Sequence, residues 1–201
     1  MYLLITISVS RISHANSLMY IVPNNTIERF EPHGSQEFVG GYNDDLLDTQ
    51  IHDMFSQYLK ELGIGRPEYL RPKDYQPVFG YQSIDLLEYE SRRSNDPGGF
   101  CAAWSVWYID YRARYIHLDP VIFNQKLVNA IRRTGSGFKK IIRNYANLII
   151  EISKQVYERV DLETYPSYQE LCAAFANEAL FGDITIPDAK SEQDDKQQNY
   201  T

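Results

Sequence analysis

Two histidine-and-acid positions and one cysteine stand out in this sequence as residues able to do chemistry together. His14 and Glu31 lie 17 positions apart (31 − 14), with the turn residues Pro23, Asn24 and Asn25 near the midpoint. An antiparallel hairpin folded there brings the Glu31 carboxylate back beside the His14 imidazole. One ring nitrogen would then face the carboxylate and the other would be left for a proton donor. Cys101 is that donor. It follows Gly98 and Gly99 at the predicted start of a helix, where free backbone N–H groups and the positive end of the helix dipole favour a thiolate. A thiol, an imidazole and an orienting acid are the parts of nucleophilic acyl-transfer chemistry. Such chemistry also needs a donor for the developing oxyanion. Asn95, six residues before Cys101, is the favoured donor, and Gln82, nineteen residues before it, is the alternative.

The elements that must position these groups are legible in the pattern of residues. Tyr2–Val9, Ser17–Val22 and Thr26–Glu31 read as strands, the last two forming the hairpin. Residues 48–62 read as an amphipathic helix with Ile51, Met54, Phe55, Tyr58 and Leu62 on its apolar face, ended by Gly63. Pro67, Pro72 and Pro77 mark an irregular stretch, and residues 82–89 read as a further strand. Cys101 then opens a helical half. Trp104, Trp107, Tyr108 and Tyr111 line the first helix, and Asp119-Pro120 starts the second. A third runs over residues 138–160, and Ser167–Glu170 is a capping box opening a fourth. Residues 187–201 read as a disordered tail, and residues 1–186 as one domain. No internal repeat or phosphate-loop glycine pattern is present.

The composition narrows the function classes. The chain has 201 residues, 43% hydrophobic, with 16 tyrosines and a formal charge of −7. That charge argues against a general nucleic-acid binder, although Arg132, Arg133, Lys139, Lys140 and Arg143 form a local basic stretch. Two cysteines, Cys101 and Cys172, are too few for a disulfide framework or a thiolate zinc site, and a reducing compartment is expected. Cys172, in an Ala-rich helix, reads as a core residue. No cofactor, metal site or membrane span is expected. Met1–Ser10 reads as a core strand and not a signal peptide, so the chain is expected to begin inside its sheet, as a shortened domain or one lacking an upstream part.

The segments His14–Val22, Phe30-Glu31-Pro32-His33-Gly34 and Gly98–Trp104 together resemble the adenoviral cysteine protease and the SUMO-specific proteases. That family has the chain order His, acid, Gln, Cys, and its adenoviral branch carries Phe-Glu-Pro-Phe-Gly around the acid. The resemblance covers about residues 1–115 and is strongest to proteins of large DNA viruses. It implies a papain-like α+β fold with a small central sheet flanked by helices. It also implies a thiol protease or ubiquitin-like-modifier isopeptidase acting near glycine, with Cys101, His14 and Glu31 catalytic. Protein or peptide substrates, virion proteins as partners, and location in host cytoplasm or virion follow from it. Two departures stand out: Ala15 replaces the Trp that follows the family's His, and no Gln lies six or seven residues before Cys101. They leave open an alternative, a catalytically degenerate protease fold serving as a structural or interaction protein.

Overall fold

The computed structural model describes residues 2–9, 12–35, 43–88, 99–160, 164 and 167–181. The chain divides into two compact units, Met1–Arg143 and Asn144–Thr201.

The first unit is built around a four-stranded sheet in the order β1-β2-β3-β4. The strands are β1 (Tyr2–Val9), β2 (Ile12–Ile21), β3 (Thr26–Phe30) and β4 (Glu68–Leu70). β1, β2 and β3 are mutually antiparallel, and β4 joins β3 in parallel. A single 3-10 turn at Val22–Asn24 closes the β2–β3 hairpin, with Asn25 in the left-handed conformation that Asn tolerates. Helix α1 (Asp44–Glu61) lies against the sheet. Its Ile51 and Phe55 bury with Leu18 and Ile27, each such side chain contributing about 1.5–3 kcal/mol. Asn43 caps α1 by accepting from Leu46 N.

Helix α4 (Cys101–Arg114) serves the sheet with other residues. Phe30 stacks on Tyr108 at 3.9 Å, and Arg112 donates twice to buried Glu28, at 2.9 and 2.7 Å. Two short helices, α2 (Pro72–Tyr75) and α3 (Tyr81–Leu87), lie between β4 and α4. Helix α5 (Pro120–Thr134) starts on Asp119, whose carboxylate accepts from Val121 N and Ile122 N, and ends at Gly135. Helix α6 (Phe138–Arg159) starts on Glu88, which accepts from Phe138 N and Lys139 N.

In the second unit the end of α6 meets α7 (Tyr168–Phe181). Tyr157 packs on Phe175 at 4.7 Å, and Arg159 donates to Glu178 at 3.0 Å. Ser167 caps α7 by accepting from Glu170 N at 3.2 Å, and its hydroxyl donates to the Glu170 carboxylate at 3.0 Å in place of the backbone bond that would complete the expected capping box.

Several expectations are corrected. The papain-like α+β class does not describe this chain. Helix predominates among the described residues, and the four-stranded sheet is formed wholly within residues 2–70. Residues 81–87 form helix α3, not a strand. The apolar spacing of Ile84, Leu86 and Leu87 misleads, because this helix buries Tyr81, Gln82, Ser83 and Asp85 and exposes its leucines. On α1, Met54, Tyr58 and Leu62 are exposed, while Asp48 and Leu59 are buried. Cys172 is exposed, not in a core. Asn95 and the residue 187–201 tail lie outside the described residues.

Candidate functional site

The hairpin register assembles the site. β2 and β3 pair Ser17 with Phe30. Continuing that register places Asn16 opposite Glu31 and His14 opposite His33. Opposed and diagonal side chains on one face of an antiparallel pair lie within reach of each other. His14 Nε2 accordingly bonds Glu31 Oε1 at 2.6 Å, and Asn16 Nδ2 donates to Glu31 Oε2 at 2.8 Å. The rings of His14 and His33 lie 5.2 Å apart. Glu31 is 1% exposed and His14 4%, so these bonds act with little competition from water.

Glu31 is held from several directions. Its Oε1 also accepts from His33 N at 2.9 Å. Its backbone is clasped by Gln76, whose amide accepts from Glu31 N and donates to Glu31 O. Burial works against the charge on Glu31. The bonds from His14, His33 N and Asn16 outweigh it and hold the carboxyl below its ordinary range.

Cys101 reaches this dyad from the start of α4. Burial opposes a thiolate there, but the His14 side chain and the backbone of Ala15 and Ala102 favour it and prevail, so the thiol titrates below its ordinary value. His14 responds in kind: burial disfavours its positive charge, yet the bonds to Cys101 and Glu31 raise it to about 9. The opposite shifts of Cys101 and His14 both favour a thiolate–imidazolium pair, with Glu31 on the imidazole Nε2. Burial, helped by the His14 charge and opposed by Glu31, holds His33 below its ordinary value. Its Nδ1 contacts Ser83 Oγ at 3.2 Å, and Ser83 donates to His33 O.

Gln82 is the second group that α3 brings to the site. It is 5% exposed. A Cβ on Gly99 would stand 2.7 Å from its Nε2, so the amide packs on bare backbone two residues before Cys101. Its Oε1 has no hydrogen-bond partner. The start of α3 is pinned beneath Glu31: Gly80 N donates to His33 O at 2.7 Å and Gln82 N to Pro32 O at 2.9 Å. Gly34 and Gly80 cross so closely that neither has room for a side chain.

The structure thus brings together Cys101, His14, Glu31 and Gln82, and the favoured Asn95 falls outside the described residues. Asn16 and Gln76 were missed by sequence reasoning. Hairpin register was the available signal for Asn16; none existed for Gln76. The remaining histidines stand apart, His52 on Pro67 O and His117 at a cavity of about 590 Å³. Arg132 and Arg133 end α5 on its exposed side, whereas Arg143 is buried. Among the described residues no group of three or more His, Cys, Asp or Glu is placed to hold a metal, and no helix is long and apolar enough to cross a membrane.

Comparison with known proteins gives a different family signal from the local segments. The chain is 39% identical over 166 residues to a protein of Acanthamoeba polyphaga mimivirus described as a "putative ankyrin repeat protein". The match takes in 78% of this chain but spans only 21% of that relative. No family model matches, and no solved structure matches. The expected membership of the adenoviral and SUMO-specific protease family is corrected by this match. With it fall the thiol-protease and isopeptidase activity, the papain-like fold class and cleavage near glycine. The similarity to a viral protein is what stands.

Proposed function

We propose that this chain is a protein-interaction module that carries an activated thiol at Cys101. The observation that carries the reading is the buried His14–Glu31 bond at 2.6 Å, with Cys101 and His14 acting on one another's titration from the start of α4. A cysteine that merely fills space gains nothing from a buried imidazole and carboxylate, which are costly to desolvate. The arrangement suits covalent capture of a carbonyl carbon on a bound partner. The thiolate forms an S–C bond as the C=O π bond opens, and His14 delivers its proton to the oxygen. Gln82 is the proposed donor to that oxygen, from its place against Gly99. The reading assigns capture and no turnover.

The interaction half rests on the description of the mimivirus relative, which names ankyrin repeats, a class built for binding other proteins; this chain itself carries no internal repeat. Virion proteins are the proposed partners. Free Cys101 and Cys172 fit a reducing setting such as host cytoplasm or a virion interior.

The test is labelling of the full chain with iodoacetamide at neutral pH, resolved by peptide mass spectrometry. Cys101 is expected to react well ahead of exposed Cys172, and His14→Ala is expected to abolish the lead. Equal rates at the two cysteines overturn the activated thiol. Binding is read separately by retention of virion proteins on the immobilised Cys101→Ser chain, and no retention above a heat-denatured control overturns the interaction half.

A further inference from the structure

Asp85 and Trp104 form a buried bond that none of the chemistry above uses. Trp104 Nε1 donates to Asp85 Oδ2 at 2.6 Å, with Trp104 0% and Asp85 1% exposed. A buried indole N–H needs an acceptor, but a neutral one would satisfy it at far lower desolvation cost than a carboxylate. The charged acceptor makes a shorter and stronger bond.

Its place in the fold indicates what that strength is for. On α3, Asp85 lies three residues after Gln82; on α4, Trp104 lies three residues after Cys101. Residues three apart share a helix face. The face of α3 that presents Gln82 to Gly99 therefore presents Asp85 to Trp104. The other end of α3 is tied to Pro32 and His33, beside Glu31. Helix α3 is thus a strut between the segment that orients His14 and the helix that carries Cys101.

We propose that Asp85 is a positioning residue for the Cys101 site, locking α3 to α4 through Trp104 so that the Gln82 amide stays beside the thiol. This role rests on the activated-thiol reading. Burial raises the Asp85 carboxyl to about 6, opposed by the Trp104 bond and by the charges of Lys139 and Arg143, with Glu88 pushing the other way.

Two probes separate positioning from simple loss of structure, in the full chain with Cys172→Ser. Iodoacetamide needs only a thiolate. A small aldehyde, phenylacetaldehyde, forms a reversible hemithioacetal whose oxygen needs a donor, and its affinity is read as protection of Cys101 against iodoacetamide. Asp85→Ala is expected to weaken aldehyde affinity about tenfold, the worth of one hydrogen bond, and to leave the iodoacetamide rate within about twofold. Asp85→Asn, which keeps a weaker neutral acceptor for Trp104, is expected to restore part of the loss. Trp104→Phe tests the same bond from the other side. Gln82→Ala is expected to mimic Asp85→Ala, and the double variant to lose no more than either.

Unchanged aldehyde affinity in both Asp85→Ala and Trp104→Phe overturns the proposal. So does an equal fall with both probes, or failure of Asp85→Asn to rescue. A wild-type Cys101 no faster than glutathione overturns the activated-thiol reading itself, and the positioning role with it.

Discussion

Glu31→Gln tests whether the acid activates the thiol or merely fills the hairpin. The substitution keeps shape and removes charge. Glu31 Oε1 meets His14 Nε2 at 2.6 Å in a site almost closed to water, and a charge-assisted bond of this kind contributes about 1.5–3 kcal/mol. At about 1.4 kcal/mol per factor of ten, the thiolate–imidazolium pair becomes about 10- to 100-fold rarer against its neutral form. Only the thiolate reacts, so the iodoacetamide rate of Cys101 at pH 7 is expected to fall by up to that factor. The assay is pseudo-first-order labelling across pH 5–9, with exposed Cys172 in the same molecule as the standard. Wild type is expected to stay reactive well below the ordinary thiol range and to change again near pH 9, where His14 releases its proton. In the variant the rate is expected to rise only as an ordinary thiol ionises. Circular dichroism checks the fold, because Glu31 also accepts from Asn16 and His33 N. A folded Glu31→Gln chain within twofold of wild type at pH 7, with the same pH profile, refutes the relay.

Stability follows the same groups. His14 is raised from 6.5 to about 9 on folding, so its contribution is fully present below about 6.5 and is lost as pH rises through about 9. Glu31 is lowered from 4.5, so its contribution is present above about 4.5 and is lost as pH falls through its folded value. Cys101 is lowered from 9.0, so its contribution grows as pH rises towards 9 and offsets the His14 loss; urea midpoints are therefore expected to fall chiefly towards acid pH, and a midpoint that holds steady from pH 6 to 3 contradicts the Glu31 part. Glu28→Gln strands the buried Arg112 guanidinium and is expected to cost about 3–5 kcal/mol in urea unfolding; a loss under about 1 kcal/mol excludes a strong buried pair. Gly80→Ala pushes a methyl into the Gly34 backbone and is expected to cost about 1–3 kcal/mol and to slow Cys101 labelling, because the start of α3 is displaced from Pro32. Wild-type melting and labelling in that variant rule out the tight crossing.

Local chemistry set much of this protein in advance. β-Branched runs around a Pro-Asn-Asn turn specify the hairpin, and hairpin pairing, with its period of two, makes the 17-residue interval a statement about distance. That is why His14 and Glu31 were legible as a pair. Asp119-Pro120 and Ser167–Glu170 are helix starts because their own side chains satisfy the free N–H groups that follow. The family reading failed for a related reason: a few residues at the right spacing define a local geometry, whereas kinship is carried by the whole chain. Tertiary structure decided the rest. Helix α3 buries its polar residues and exposes its leucines, because the partners of Gln82 and Asp85 lie on segments about twenty residues away. Asp48 is buried on α1 because Arg29 donates to it from β3 at 2.6 Å, a contact no pattern within α1 announces. The thiol chemistry divides the same way. Residue type and spacing proposed Cys101, His14 and Glu31, but the direction in which each titrates depends on burial and on bonds from distant backbone, and these exist only once the chain has folded.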